Sequence, residues 1–261
     1  MAATRCAALL VVLLAGQALA ATPPTTRADS LYAITPAVDG ALIVGGLVGS
    51  GVPYLIADDV IDRRCPCNPN EVNGFDRWVI GNHSNAALTL SDISLGLALA
   101  LPVALDRLDV DSNLTWLEDV TVYVEGLALN GALVSIAKVV FQRPFPRTYA
   151  GQDDLASQAG GYRSFYSGHL ALTFSALSTT AYTWTARHGG AAWPWVAIVG
   201  YGAGVGALML AAGYHFPTDL LVGAAIGTGL GVLVPALHRR RPAGLALVPT
   251  ANGIALKGHF Y

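Results

Sequence analysis

Apolar residues along this chain gather into long blocks separated by short polar, glycine- and proline-rich stretches; they do not alternate with polar ones. After a short apolar run at 7–15, six blocks follow over 36–57, 88–105, 114–141, 168–187, 191–214 and 216–237. Each exceeds the length of an ordinary strand and is closed by a breaker, which predicts helices. The run 191–214 has no charged residue and neither does 220–237, so at 1.5 Å per residue both approach the ~30 Å of a bilayer's hydrocarbon core. The first block is the weakest, because Asp39 and the glycines Gly45, Gly46, Gly49 and Gly51 lower its helix propensity, although they also permit close packing. The pattern predicts an all-α polytopic membrane bundle of about six helices over 36–241, followed by a tail, 242–261, that could form a short strand pair.

Composition strengthens the membrane reading. The 261 residues are 53% hydrophobic and only 12% charged, too apolar for an ordinary soluble domain. A net charge of -2 supplies no global basic field, which excludes nucleic acid as an expected partner. Arg5, the apolar run 7–15 and the small-residue site Ala18-Leu19-Ala20 fit a cleavable signal over 1–20, since the run falls short of the ~20 residues a span needs. Residues 21–35, rich in Thr and Pro near their start, are then a flexible N-terminus. Cys6 falls inside the signal. Cys65-Pro66-Cys67 leaves three alternatives: a disulfide, half of a metal site, or two free thiols.

Chain order carries a geometric expectation. The loop between the third and fourth blocks and the turn between the fifth and sixth belong to the same membrane face, which puts Lys138, Ser167, His169, His215 and Asp219 together. Arg187 and the run His238-Arg239-Arg240-Arg241 fall on the other face, which the positive-inside rule assigns to the cytoplasm. The chemistry would then face the periplasm of a bacterial inner membrane. A cleaved signal followed by six spans would leave the C-terminus outside, and the conflict is resolved here by expecting the first block not to span.

Two short motifs carry chemistry: Ser167-Gly168-His169 and His215-Phe216-Pro217-Thr218-Asp219. Each opens an apolar block, so a helix start would aim backbone N–H groups and a positive dipole end at an anion. Two histidines facing one oxyanion suggest phosphoryl transfer through a phosphohistidine. With Lys138, these residues resemble the type 2 phosphatidic acid phosphatase family, whose signature runs Lys-x6-Arg-Pro, Pro-Ser-Gly-His and Ser-Arg-x5-His-x3-Asp. The resemblance covers roughly residues 138–227, with the three stretches in matching order and spacing.

The resemblance implies His215 as nucleophile, Asp219 as the carboxylate accepting from its other ring nitrogen, and His169 as the acid that protonates the leaving oxygen and then activates water. It implies Lys138, Ser167 and Gly168 as the phosphate cradle, a lipid phosphomonoester or pyrophosphate as substrate, membrane lipids as surroundings, and no metal or other cofactor. The motif arginines fall on Phe145 and Met209, and the motif serine on Leu208. Arg143 and Arg147 are the candidate substitutes, with Arg163 a third. Losing one transition-state donor costs ~3 kcal/mol, so a non-catalytic homologue with a residual anion site is the main alternative. A secreted acid phosphatase or a haloperoxidase-like enzyme is the other.

Asp92 and Glu125 are ionisable groups within apolar blocks, for which interhelical hydrogen bonding is the expected use. The Ser/Thr-rich run 173–185 is expected to hydrogen-bond within and between helices, and Trp184, Trp193 and Trp195 to anchor at an interface.

Overall fold

A computed structural model describes residues 30–152 and 154–240, with the backbone of two strands beyond them. The signal segment 1–20 and most of the following stretch lie outside the described residues. Six long helices run α1 Pro36–Leu55, α2 Asn85–Asp109, α3 Asn113–Phe141, α4 Gly168–His188, α5 Trp193–Ala211 and α6 Pro217–His238. Local chemistry sets their starts. Ser84, Ser112 and Ser167 cap α2, α3 and α4, each hydroxyl accepting a first-turn backbone N–H. Pro36, Pro194 and Pro217 lie in the first turns of α1, α5 and α6, where a missing N–H is harmless. The tail forms an antiparallel strand pair, β1 Ala246–Thr250 with β2 Gly253–Lys257.

Helix α4 is the hub, packing on α2, α3, α5 and α6. No residue from Gly168 to Arg187 is exposed, and this explains its composition. A helix walled in by others need not dissolve in lipid, so it can carry Thr173, Ser175, Ser178, Thr179 and Thr183 on buried faces. Thr180, Thr183 and Thr185 return their hydroxyls to carbonyls one turn earlier, and Thr183 also pairs with the Tyr32 hydroxyl at 2.7 Å. Five other segments are long and apolar enough to cross a membrane: Pro36–Leu55, Asn85–Asp109, Asn113–Tyr149, Trp193–Ala211 and Pro217–His238. The chain is therefore a membrane protein by its helices.

The first block, expected to fail as a span, is instead an unbroken 20-residue helix. Its glycines explain why. A Cβ on Gly46 would lie 2.6 Å from the Ala128 carbonyl carbon, and one on Gly49 2.9 Å from the Ala132 Cβ, so α1 and α3 approach backbone to backbone. The same device joins α4 to α6. Gly223, Gly227 and Gly231 lie against the backbone oxygens of Ser167, Ala171 and Ser175, one turn of each helix per contact. This seam fixes the start of α4 beside the start of α6.

At the opposite end Arg187 bridges Asp106 and Asp109 of α2, each at 3.1 Å, and Asp119 of α3 at 2.5 Å. Arg240 pairs with Glu118 at 3.3 Å and donates to the Tyr32 carbonyl at 2.7 Å. Near the other end Cys65 and Cys67 are joined by a disulfide. The Gln142 side chain ties that loop to the end of α3, donating to the Val60 carbonyl and accepting from the Asp62 N–H.

Candidate active site

The α4–α6 seam ends where the Ser167 N–H donates to the Asp219 carbonyl at 3.1 Å. That bond brings together two motifs about fifty residues apart in the chain. His215 sits just before α6, 3% exposed. Its Nδ1 lies 2.8 Å from the Ser164 carbonyl. A carbonyl oxygen only accepts, so Nδ1 carries the hydrogen and Nε2 keeps its lone pair. Burial pushes the imidazole down to about 4, and the positive charges of Lys138 and His169 act in the same direction against the pull of Asp219.

Asp219 does not hydrogen-bond His215 directly, because Oδ2 is 3.7 Å from Nδ1 and contributes charge only. That oxygen is already engaged by the Phe216 N–H at 2.9 Å and the Ser164 hydroxyl at 2.5 Å. The carboxylate thus orients His215 through Ser164, whose hydroxyl it holds and whose carbonyl holds the ring. Its other oxygen, Oδ1, accepts from Arg143 Nη1 at 2.6 Å.

Arg143 is committed on both sides. Nη1 also donates to the Thr218 hydroxyl at 2.8 Å, Nη2 donates to Asp76 at 2.8 Å, and the guanidinium lies 4.1 Å over the Phe216 ring. Asp76 is fully buried and also accepts from the Thr218 N–H at 3.0 Å, the Thr218 hydroxyl at 2.6 Å and the Asn73 amide at 3.0 Å. Burial alone would raise its carboxyl, but the bonds from Arg143, Thr218 and Asn73 outweigh it and hold it below the usual carboxylate range. A carboxylate–guanidinium–carboxylate chain therefore braces the first turn of α6.

Arg147 is 2% exposed, with Nε donating to the Ala212 carbonyl at 2.5 Å, Nη2 to Asn85 at 3.0 Å, and its guanidinium 4.7 Å from the Tyr214 ring centroid. These contacts knit the end of α5 to the loop before the site. The Arg163 guanidinium lies over the Tyr54 ring at 4.4 Å. Lys138 Nζ donates to the Arg163 carbonyl at 2.5 Å, one of the three hydrogens an ammonium offers. Ser167 accepts from the Leu170 N–H at 3.4 Å, leaving its own hydroxyl hydrogen free to turn toward an anion. Helix geometry leaves the N–H groups of Gly168 and His169 without intrahelical partners.

His169 Nε2 meets Asp92 Oδ1 of α2 at 2.8 Å. Two apolar side chains occupy the positions of the motif arginines. The Phe145 ring stands 5.0 Å from Tyr214 and edge-on to His215 at 6.0 Å. Met209 is buried with Leu170, Val205 and Leu220.

Sequence reading passed over Asp76, Ser164 and the pairing of Asp92 with His169. Asp76 had a faint signal as Asn73-x2-Asp76 opening a short helical turn, but its partner Thr218 is 142 residues away. Ser164 holds the His215 ring through its backbone carbonyl, for which no side-chain motif exists, while its hydroxyl is held by Asp219.

Residues 119–243 match the family model described as the PAP2 superfamily. No curated protein and no solved structure matches the chain. The matched segment contains both histidines, Asp219, Lys138 and Arg143, and the superfamily points to phosphoester hydrolysis. Over residues 119–243, then, this chain is similar to the PAP2 superfamily.

Proposed function

We propose that the protein is a membrane phosphatase that hydrolyses a lipid phosphomonoester or pyrophosphate through a phosphohistidine at His215, without a metal at the reacting centre. The observation that carries this reading is the His215 Nδ1–H bond to the Ser164 carbonyl, which leaves Nε2 uncharged and nucleophilic. Nε2 attacks phosphorus in line, an N–P bond forms, and the bond to the leaving oxygen breaks as His169 gives that oxygen its proton. Water then attacks phosphorus while His169 takes its proton, and the N–P bond breaks to release phosphate. Burial works against the imidazolium of His169, and the Asp92 carboxylate held at one of its nitrogens partly offsets this, leaving Nδ1 to exchange the proton. Lys138, the Ser167 hydroxyl and the first-turn N–H groups of Gly168 and His169 hold the phosphoryl oxygens. Arg143 and Arg147 act from behind: the first fixes Asp219, the second the α5–α6 turn. The basic residues Arg187 and His238–Arg241 favour an orientation with the site on the periplasmic face of a bacterial inner membrane.

The second reading, a homologue with a residual anion site, draws on the apolar burial of Phe145 and Met209. One experiment separates the two: phosphate release from a panel of lipid phosphates by the parent, His215→Ala, His169→Ala and Phe145→Arg proteins. Hydrolysis by the parent that falls at least ~100-fold in both histidine variants supports the phosphatase. A parent inactive on the whole panel, with activity appearing in Phe145→Arg, establishes the second reading. Equal rates in the parent and both histidine variants refute the mechanism.

A further inference from the structure

At the far end of α6 from His215, about 32 Å away along the 22-residue helix, lies a cluster that phosphoryl transfer does not use. Asp39 in the first turn of α1, Glu125 in the middle of α3 and His238 at the end of α6 each bring one ligand atom within 4.8 Å of the others. His238 Nε2 is 3.3 Å from Asp39 Oδ1 and 3.4 Å from Glu125 Oε2. The ring's other nitrogen lies 2.9 Å from the Val234 carbonyl, one turn back, so Nδ1 carries a hydrogen and Nε2 is the ring atom turned to the carboxylates. Asp39 is oriented as well, its Oδ2 accepting the Thr35 N–H at 2.7 Å. Glu125 is 2% exposed, and its Oε2 accepts no hydrogen bond.

Two buried carboxylates and a partly buried imidazole thus converge, and the two negative charges call for a cation among them, either a proton on Nε2 or a bound metal. A proton on Nε2 would serve one oxygen at 2.7–2.9 Å, whereas here two oxygens stand equidistant and farther off. Zinc bonded to nitrogen and oxygen at about 2.0–2.1 Å in a tetrahedron spaces its ligands about 3.3–3.4 Å apart, which matches both distances. A ring N–H given to a backbone carbonyl is also the usual outer support of a metal-bound histidine. We infer that Asp39, Glu125 and His238 form a zinc site, with water as the fourth ligand, that clamps α1 and α3 to the end of α6. The inference is independent of the chemistry at His215.

The test uses full-length protein purified in detergent without a metal-affinity tag. Elemental analysis is expected to find one zinc per chain, and Co²⁺ added to the metal-stripped protein to give the strong visible absorption of a tetrahedral site. His238→Ala should lose both signals. Glu125→Gln, which keeps the side-chain volume, should weaken Co²⁺ binding at least tenfold and remove the rise in melting temperature that zinc confers on the parent. If His238→Ala does not fold, Glu125→Gln decides alone. A parent that binds neither Zn²⁺ nor Co²⁺, or a Glu125→Gln protein that binds as tightly as the parent, overturns the inference and leaves an imidazolium between two buried carboxylates.

Discussion

At the scale of single residues, His215 is unusual in being a histidine kept neutral by burial. Its folded pKa of about 4 lies below the ~6.5 of an exposed histidine, so between those values the unfolded chain binds the additional proton. Stability should therefore fall as pH drops from 6.5 toward 4, by on the order of 3 kcal/mol from this residue. Melting temperatures across that window should show the decline, and His215→Gln should flatten it. The same depression keeps the proposed nucleophile unprotonated in mild acid, so any acid limb of the rate that His215 sets belongs near pH 4. Arg143 gives a second expectation. Arg143→Met removes the shared cation of Asp76 and Asp219, both fully buried, and should cost about 3–5 kcal/mol. Denaturation in detergent would measure it, and Arg143→Lys should restore only part, since one ammonium cannot reproduce the two-sided fork. The motif spacing made Lys138, His169, His215 and Asp219 legible in advance. Ser164 and Asp76 were not, because one acts through its carbonyl and the other reaches Thr218 from across the fold.

Among the elements, the α4–α6 seam does most to build the site. Gly227 is its tightest point: a Cβ there would overlap the Ala171 carbonyl oxygen. Gly227→Ala should force the helices apart, with a loss of about 1–3 kcal/mol and a larger proportional loss of phosphate release, because the start of α4 would shift from the start of α6. Gly229→Ala faces open space and should leave stability unchanged or slightly raised. Comparing the two melting curves checks the seam. The i, i+4, i+8 spacing of Gly223, Gly227 and Gly231 was a readable packing signal. Its partner was not, since spacing alone does not say which helix a glycine face meets.

For the whole molecule, five segments able to cross a bilayer predict that a sodium carbonate wash leaves the protein in the membrane pellet. Release into the supernatant would contradict the membrane assignment. The helical bundle, the terminal strand pair and the motifs were all written into local pattern, because apolar run length and breaker residues act over short stretches of chain. Two features ran against that pattern. Gly-rich α1 is a complete helix because Ala128 and Ala132 of α3 accept its bare backbone, and hydroxyl-rich α4 is the hub because its neighbours shield it from lipid. The sequence by itself determined that two histidines and an aspartate stand at helix starts, and a lysine at a helix end, in an apolar chain. Only tertiary packing decided that Ser164 holds the ring of His215, that Arg143 is tied between Asp76 and Asp219, and that Asp39, Glu125 and His238 converge, for burial and hydrogen bonding depend on what the fold brings alongside.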